Sequence, residues 1–376
     1  MVLKKILLNT TLLCSSFLFC LFTSEILVRI FDPQKLIYYN NDLWIDDYTG
    51  LGHRHAPNLT TKINTGGAGL VNYKTDANGY RVNIDKVKPE KIDKNILILG
   101  DSYIEAIQVE NNESIPELLK EKFYDREDLK ISYDNTAVAA YNLNHYYLIS
   151  KKQLSKNSYD LGIVFLSIAN DIEPTQIKNR FPSWSYTHPH KFKVIKKINK
   201  DEIVNNILYP INDFFEVRSH LFLFFKYRLT NVLAKYGLTY SSLSYIFYTN
   251  EKNTIEIDNV MKLSNMIQDE FNKYDTPIFF VFLPTIYQVE EYTLDQFIRN
   301  ENINIGEIDI ELPNKLLGEK FYKSDIIYYD PLKHMKNITK TLRLYEPIDK
   351  HFNINGHEII SEYLYDKVKK ILIRQL

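Results

Sequence analysis

The chain has 376 residues, of which 45% are hydrophobic and 25% charged, and its formal net charge is −1. This length allows one large or two small domains with a sizeable core. A nearly neutral chain lacks the basic surface that binds nucleic acid, so nucleic acid is set aside as a partner. Both cysteines, Cys14 and Cys20, lie in the first apolar segment, which excludes a cysteine nucleophile or a cysteine-ligated zinc elsewhere.

That first segment is uncharged from Ile6 to Ser24, and Lys4 and Lys5 precede it. As a helix it would span about 28 Å, close to the thickness of a bilayer core. The two lysines place the N-terminus in the cytoplasm and the rest of the chain outside. No pair of small residues marks a cleavage site, so we predict a retained signal-anchor over residues 1–32 of a single-pass cytoplasmic-membrane protein. A cleaved signal peptide and a buried soluble helix are the alternatives.

Residues 33–90 are rich in Asn, Gly and Tyr, with turn signals at 47–52, 66–69 and 78–79. We predict an irregular membrane-proximal extension here. From residue 95 onward, apolar runs such as NILILG, DLGIVFLSI and PIFFVFLP alternate with helical stretches. This alternation is typical of a parallel sheet buried on both faces, so an α/β domain is predicted over residues 91–376.

Two further features of this α/β domain follow from spacing. About a hundred residues separate Asn170 from the PIFFVFLP run, too many for one crossover, so a helical insertion is predicted around 175–250. The final helix is predicted to be capped by Asn355. Its apolar positions fall on one face, which is predicted to face the core: Ile360, Leu364, Val368 and Leu372.

Chemistry-bearing residues follow several of these predicted strands. Ser102, in Gly-Asp-Ser, comes directly after NILILG, and the carboxyl ends of parallel strands form a crevice. A serine nucleophile needs a base with an orienting carboxylate, and IDKHFNINGHE supplies Asp349 and His351. Asn170 ends another strand and can donate its side-chain amide to an oxyanion, together with the backbone N–H of Ser102.

Taken together, these motifs resemble the SGNH (GDSL-type) hydrolases over most of residues 74–372. The resemblance implies a flavodoxin-like three-layer α/β/α fold without cofactor or metal. It implies Ser102 as nucleophile, His351 as general base and acid, Asp349 as its orienter and Asn170 as an oxyanion donor. The segment TDANGYR, residues 75–81, is similar to one found before the nucleophile strand in the membrane-anchored bacterial branch.

One block departs from the family pattern. Where relatives have a glycine whose N–H joins the oxyanion hole, this chain reads NTAVAAY, with Ala140 at the matching place. Alanine keeps the amide, so Ala140 remains a candidate oxyanion donor. A positive φ at this position would strain an alanine.

We therefore predict a serine-dependent acyl-ester hydrolase or acyltransferase. Its expected substrates are O-acetyl groups on envelope or exported polysaccharide, or another small ester, and lipid esters or thioesters stay open. The alternative is a non-catalytic SGNH-like envelope protein that binds glycan or a membrane partner. Phosphoester chemistry is disfavoured because a glycine-rich phosphate loop and two-metal clusters are lacking.

The other histidines carry less weight. His188 and His190 could bind metal but favour an exposed loop, and His357 is predicted to be structural. His145 is predicted to lie on a helix surface. His53 and His55 give no usable signal.

Overall fold

The computed structural model describes residues 2–38, 42–65, 69–83, 91–168, 170–172, 209–235, 247, 252–301, 303–347 and 349–373. The predictions for His188, His190 and most of the insertion around 175–250 lie outside the described residues.

The N-terminal segment is one continuous helix, α1 (Val2–Phe31). Among the described helices, it alone is long and apolar enough to cross a membrane, over Lys4–Phe31, and a signal sequence would meet the same criterion. Its apolar side chains are exposed along its length, and so are Cys14 and Cys20. The helix therefore offers an unburied apolar surface to its surroundings.

The extension after α1 is more regular than its composition indicates. It forms two antiparallel pairs, β1 (Trp44–Asp47) with β2 (Gly52–His55) and β3 (Thr60–Ile63) with β4 (Val71–Lys74). The prediction of an irregular segment was wrong here, because inward side chains such as Tyr73 are fully buried against the α/β core. The turn signal at 47–52 correctly marked the connection between β1 and β2.

The central sheet has five parallel strands in the order β6-β5-β7-β8-β9. Every residue of β7 and β8 is buried, as expected for a sheet covered on both faces. The strands are β5 (Lys94–Leu99), β6 (Ile131–Asn135), β7 (Leu161–Ser167), β8 (Ile278–Leu283) and β9 (Tyr328–Tyr329).

Helices cover both faces of this sheet. Alternate strand residues point into two cores, one shared with α4, α7 and α10 and the other with α3, α11 and α12. The predicted three-layer α/β/α fold is confirmed. The helices after α1 are α2 (Ser102–Glu105), α3 (Ile115–Glu127), α4 (Leu143–Leu154), α5 (Tyr209–Glu216), α6 (His220–Lys235), α7 (Lys252–Asn272), α8 (Ile286–Val289), α9 (Glu291–Glu301), α10 (Leu312–Lys323), α11 (Leu332–Ile338) and α12 (Ile354–Leu372).

The final helix, α12, has the predicted buried face, with Ile360, Leu364, Val368 and Leu372 all inaccessible. Its cap differs from the prediction. Asn353 is the N-cap, and its side chain accepts a hydrogen bond from the Gly356 N–H. Asn355 lies inside the first turn and donates instead to the Arg343 carbonyl, since the helix begins two residues earlier than the capping pattern indicated.

Candidate active site

Ser102 lies immediately beyond the carboxyl end of β5, as predicted, at the first residue of α2. Gly100 allows this tight strand-to-helix turn, because a Cβ there would lie 2.9 Å from Ile104 Cγ1. Asp101 caps α2 by accepting a hydrogen bond from the Tyr103 N–H at 3.0 Å. The short helix thus starts with the hydroxyl at the sheet edge.

His351 and Asp349 come to this hydroxyl from the loop before α12. Ser102 Oγ lies 2.7 Å from His351 Nε2, and His351 Nδ1 makes a close hydrogen bond to Asp349 Oδ1. The other carboxylate oxygen accepts from Thr65 Oγ1 at 2.6 Å and from Gln108 Nε2 at 2.9 Å. The three residues predicted from separate motifs therefore form one hydrogen-bonded chain.

The electrostatics of this hydrogen-bonded group favour a protonated His351 beside an ionised Asp349. Burial acts to lower the pKa of His351, but the hydrogen bond and charge of Asp349 outweigh it and raise that pKa above its ordinary value. Burial acts to raise the pKa of Asp349, but His351, Thr65 and Gln108 hold that pKa below its ordinary value. The site is thus built to stabilise a proton on His351.

Asn170, as predicted, lies just past the end of β7, close to the nucleophile turn. Its Nδ2 donates to Asp101 Oδ2 at 2.8 Å. Burial raises the pKa of Asp101, and also that of its neighbour Asp171, whose carboxylate accepts from the Ser167 N–H at 2.8 Å. Sequence reasoning assigned no role to Asp101, although it stands beside the serine in the motif.

Ala140 follows β6 in a turn closed by a hydrogen bond from the Tyr141 N–H to the Val138 carbonyl at 3.1 Å. Its φ is +64°, in the left-handed region that favours glycine. The alanine therefore adopts the positive φ at the position where the family resemblance expects glycine.

The segment carrying Ser102 is held from behind by a group that we call the Arg81 cluster: Trp44, His55, Arg81 and Glu105. Arg81 is 2% exposed, and its guanidinium donates to the Glu105 carbonyl at 3.0 Å and to the Val109 carbonyl at 2.6 Å, as well as to the Ala106 carbonyl. The buried Glu105 side chain accepts from Trp44 Nε1 at 2.9 Å and lies 2.6 Å from His55 Nε2.

Sequence reasoning missed the Arg81 cluster. Arg81 was noticed only as the last residue of TDANGYR, and His55 had no signal. Since these residues come from segments far apart in the sequence, only the fold brings them together.

Four further histidines are buried: His53, His55, His145 and His357. His145 was predicted on a helix surface, but it is 7% exposed and stacks on Tyr141 with ring centroids 4.6 Å apart, so that prediction was wrong. Burial lowers the pKa of His145 to about 4 and that of His357 to about 3. Within the described ranges, no three His, Cys, Asp or Glu side chains are placed to hold a metal ion.

The strand order puts the nucleophile strand second in the sheet, with Ser102 at its carboxyl end and His351 entering just before the last helix. This is the arrangement that the resemblance to SGNH hydrolases implied, within the three-layer α/β/α fold.

Several solved structures are similar to this chain. Esterase EstA from Pseudoalteromonas sp. is 13% identical with a TM-score of 0.39, and the match covers 74% of this chain and 99% of that one. Acetyl xylan esterase AlAXEase is 9% identical with a TM-score of 0.40, covering 73% and 99%. A lipolytic G-D-S-L protein from Veillonella parvula is 9% identical with a TM-score of 0.38, covering 72% and 96%. No protein-family model and no curated protein matches the chain.

Replacing Arg81 with methionine should destabilise the protein by at least about 2 kcal/mol. The change removes the guanidinium donor from three buried carbonyl groups; the Ala106 carbonyl keeps the Val109 N–H at 3.2 Å, and each of the other two, left unpaired, costs about 1–3 kcal/mol. Denaturant unfolding measures the difference. Arg54→Met is the matched control, because the Arg54 side chain is 37% exposed and its ion pair with Asp47 should contribute less than about 1 kcal/mol. Equal losses in the two variants would contradict this account.

Ala140→Gly should stabilise the protein by up to about 1 kcal/mol, because glycine adopts the left-handed conformation without the Cβ clash that alanine suffers. The thermal midpoint or the urea midpoint reports the gain. Ala139→Gly is the control at the adjacent turn residue, which lacks a positive φ, and it should gain nothing. A loss of stability in Ala140→Gly would refute the strain at this position.

Proposed function

We propose that the protein is a serine-dependent ester hydrolase, with Ser102 as nucleophile, His351 as general base and acid, and Asp349 as the residue that orients His351. The observation that carries this proposal is the 2.7 Å contact between Ser102 Oγ and His351 Nε2, continued by the hydrogen bond to Asp349. A serine hydroxyl becomes a useful nucleophile only when a base takes its proton.

The reaction follows from this geometry. Ser102 Oγ attacks the ester carbonyl while its proton passes to His351 Nε2. The tetrahedral intermediate then collapses, His351 returns the proton to the leaving alcohol, and an acyl-serine remains. Water activated by His351 attacks the acyl group and regenerates the serine. Asp349 keeps the Nδ1 proton in place and stabilises the imidazolium throughout.

Three donors are proposed for the oxyanion: the backbone N–H groups of Ser102 and Ala140, and the side-chain amide of Asn170. An amide nitrogen carries two N–H donors. The hydrogen bond to Asp101 uses one of them and fixes the amide plane, so the second can be directed at substrate. Because its buried partner is a carboxylate, the Asn170 amide is oriented before substrate binds.

The substrate class follows from the predicted position at the membrane. We propose that α1 is a retained anchor and that the catalytic crevice faces the extracytoplasmic side. The substrates would then be esters of the cell envelope, first of all O-acetyl groups on envelope or exported polysaccharide. A sugar hydroxyl in place of water would make the same site an acyltransferase, because both reactions pass through the same acyl-serine.

The rival function is a non-catalytic envelope protein that binds glycan or a membrane partner. The fixed orientation of the Asp349 carboxylate counts against this rival. Thr65 and Gln108 donate hydrogen bonds to one oxygen of that carboxylate, and the other oxygen bonds His351. A binding surface does not require such an arrangement. The positive φ of Ala140 does not support the rival either, because the left-handed turn is retained with alanine.

Ser102→Ala and His351→Ala should each lower the hydrolysis of p-nitrophenyl acetate by about 10³-fold or more, since either change removes the attack step. The initial rate of the purified full chain in detergent gives this measurement. Ser155→Ala is the control, because Ser155 is an exposed serine that ends α4, and it should keep full activity. A wild-type rate equal to that of both variants would exclude the esterase and favour the binding protein.

The pH dependence of kcat/KM tests the role of Asp349. His351 must be neutral to accept the serine proton, so activity should be lost as the pH falls through its pKa. That pKa is raised, which places this acid limb above about pH 6.5. Asp349→Asn should move the limb to lower pH and slow the reaction by several orders of magnitude, because the raising charge is gone.

The matched control is Asp366→Asn, which changes an exposed carboxylate on α12. It should leave the acid limb where it is. An Asp349→Asn profile with an unmoved limb would show that Asp349 does not set the pKa of the base.

A further inference from the structure

The helices α5 and α6 form an antiparallel hairpin that packs against the outer end of α1. We call it the aromatic hairpin (residues 209–235). Its tight connection, residues 217–219, lies beside Glu25: the Glu25 carboxylate accepts hydrogen bonds from Ser219 Oγ at 2.7 Å and from the His220 and Leu221 N–H groups at 3.0 and 2.9 Å. Glu25 thus caps the N-terminus of α6.

The hairpin and α1 run side by side from that point. Arg29 donates to the Arg218 carbonyl at 2.7 Å, and Arg228 pairs with Asp32 at 3.2 Å. From Glu25 to Asp32 and from His220 to Arg228 are nearly equal lengths of helix, about 10 to 12 Å at 1.5 Å per residue. The connection is therefore the end of the hairpin nearest the apolar part of α1, and the two helices rise from it together.

This end of the hairpin exposes aromatic side chains. Phe214 is 53% exposed and Phe215 is 39% exposed, and the Arg218 guanidinium lies over the Phe214 ring at 4.5 Å. Farther along α1, about 8 to 9 Å beyond Glu25 at 1.5 Å per residue, Ile30 and Phe31 are 65% and 79% exposed. Aromatic rings beside an arginine are typical of the membrane–water interface, where the rings enter the headgroup layer and the guanidinium remains hydrated.

The length of α1 sets the position of the membrane surface. A bilayer core takes about 20 helical residues, and 20 residues counted from Ile6 end at Glu25. The residues from Glu25 to Arg29 then lie in the interfacial layer, which adds about 5 to 7 Å on each side of the core. The connection of the hairpin is bonded to these same residues.

We infer that the connection end of the aromatic hairpin, with Phe214 and Phe215, is inserted in the lipid interface beside α1 as a second membrane contact. This inference rests on the proposed anchoring of α1. The occupant is the lipid bilayer, because the hairpin end that exposes these rings is hydrogen-bonded to a helix long enough to span one.

This second contact bears on the catalytic crevice. Ile37 N–H donates to the Glu216 carbonyl at 3.2 Å, and the next residue, Tyr38, pairs with Asn64. Thr65 then holds Asp349. A few residues thus connect the hairpin to the catalytic carboxylate, so a hairpin fixed at the interface holds the crevice near the membrane surface, where it would meet esters carried close to the bilayer.

The test uses single-cysteine variants of the full chain in phosphatidylcholine vesicles at low protein-to-lipid ratio. With Cys14 and Cys20 replaced by alanine, an environment-sensitive fluorophore is attached at Phe214→Cys or at Phe215→Cys. Lipids with a quencher on the acyl chain should quench both labels strongly. Val232→Cys is the matched control: it is on the same hairpin and 51% exposed, but lies about 18 Å farther along α6 from His220. Tyr322→Cys, at 80% exposure, is the control on the α/β domain.

Each outcome decides the inference. Strong quenching at positions 214 and 215 with little at 232 and 322 supports it, and equal quenching at 214, 215 and 232 overturns it. Quenching that appears only at high protein-to-lipid ratio would assign the surface to a second copy and also overturns it. A label on native Cys20, in a Cys14→Ala chain, tests α1 itself, and its lack of quenching would overturn both the anchor and the hairpin contact.

Ester hydrolysis in the same vesicles is a separate readout. Lost quenching with retained hydrolysis would leave the proposed function intact. Retained quenching without hydrolysis would remove the proposed function alone. Circular dichroism of each labelled variant confirms folding, and two label sites guard against a local defect at one.

Discussion

The guanidinium of Arg81 is the contact on which the site depends. It is inaccessible to water, yet it satisfies three carbonyls in the turn that follows Ser102. The helix α2 has only four residues and ends at Ala106, which has a φ of +57°, and a helix this short leaves most of its carbonyl groups without internal partners. The Ala106 carbonyl also accepts from the Val109 N–H at 3.2 Å. The buried guanidinium supplies donors to the carbonyls of this turn, and it connects the segment of Ser102 to the extension that carries Arg81.

This arrangement makes the extension part of the framework of the candidate active site. Trp44 and His55 hold Glu105 at the end of α2, and Thr65 holds Asp349. The extension therefore supports both the helix that begins with Ser102 and the Asp349 end of the hydrogen-bonded chain. A geometry that must hold to a fraction of an ångström benefits from supports on separate elements.

The sequence predicted the parallel sheet and the approach of Ser102 to Asn170, because strand ends in a parallel sheet converge at one edge whatever the loops do. Asp349 and His351 lie in the loop before α12, and their meeting with Ser102 was predicted because a serine nucleophile needs a base with an orienting carboxylate. The sequence did not predict the two antiparallel pairs of the extension, since four-residue strands with mixed burial carry almost no periodic signal. Nor did it predict the roles of Arg81 and Glu105. Charged residues are assumed to be exposed, and only their long-range partners make burial tolerable.

The backbone is strained at the residue that separates Asp349 from His351. This residue, Lys350, has a φ of +66°. A left-handed residue between them turns the chain back, so that the imidazole meets both the carboxylate and the serine. Strained conformations of this kind persist only when the surroundings over-determine them.

The surroundings of Lys350 do so. Its N–H donates to the Glu346 carbonyl at 2.9 Å, the Glu346 N–H donates to the His351 carbonyl at 2.8 Å, and Tyr103 Oη donates to the Lys350 carbonyl at 3.3 Å. Tyr103 directly follows Ser102, so the residue that contacts the strained loop is carried by the same short helix as Ser102. The helix α2 therefore positions both Ser102 and the loop of His351. A movement of α2 would displace both residues together rather than pull them apart.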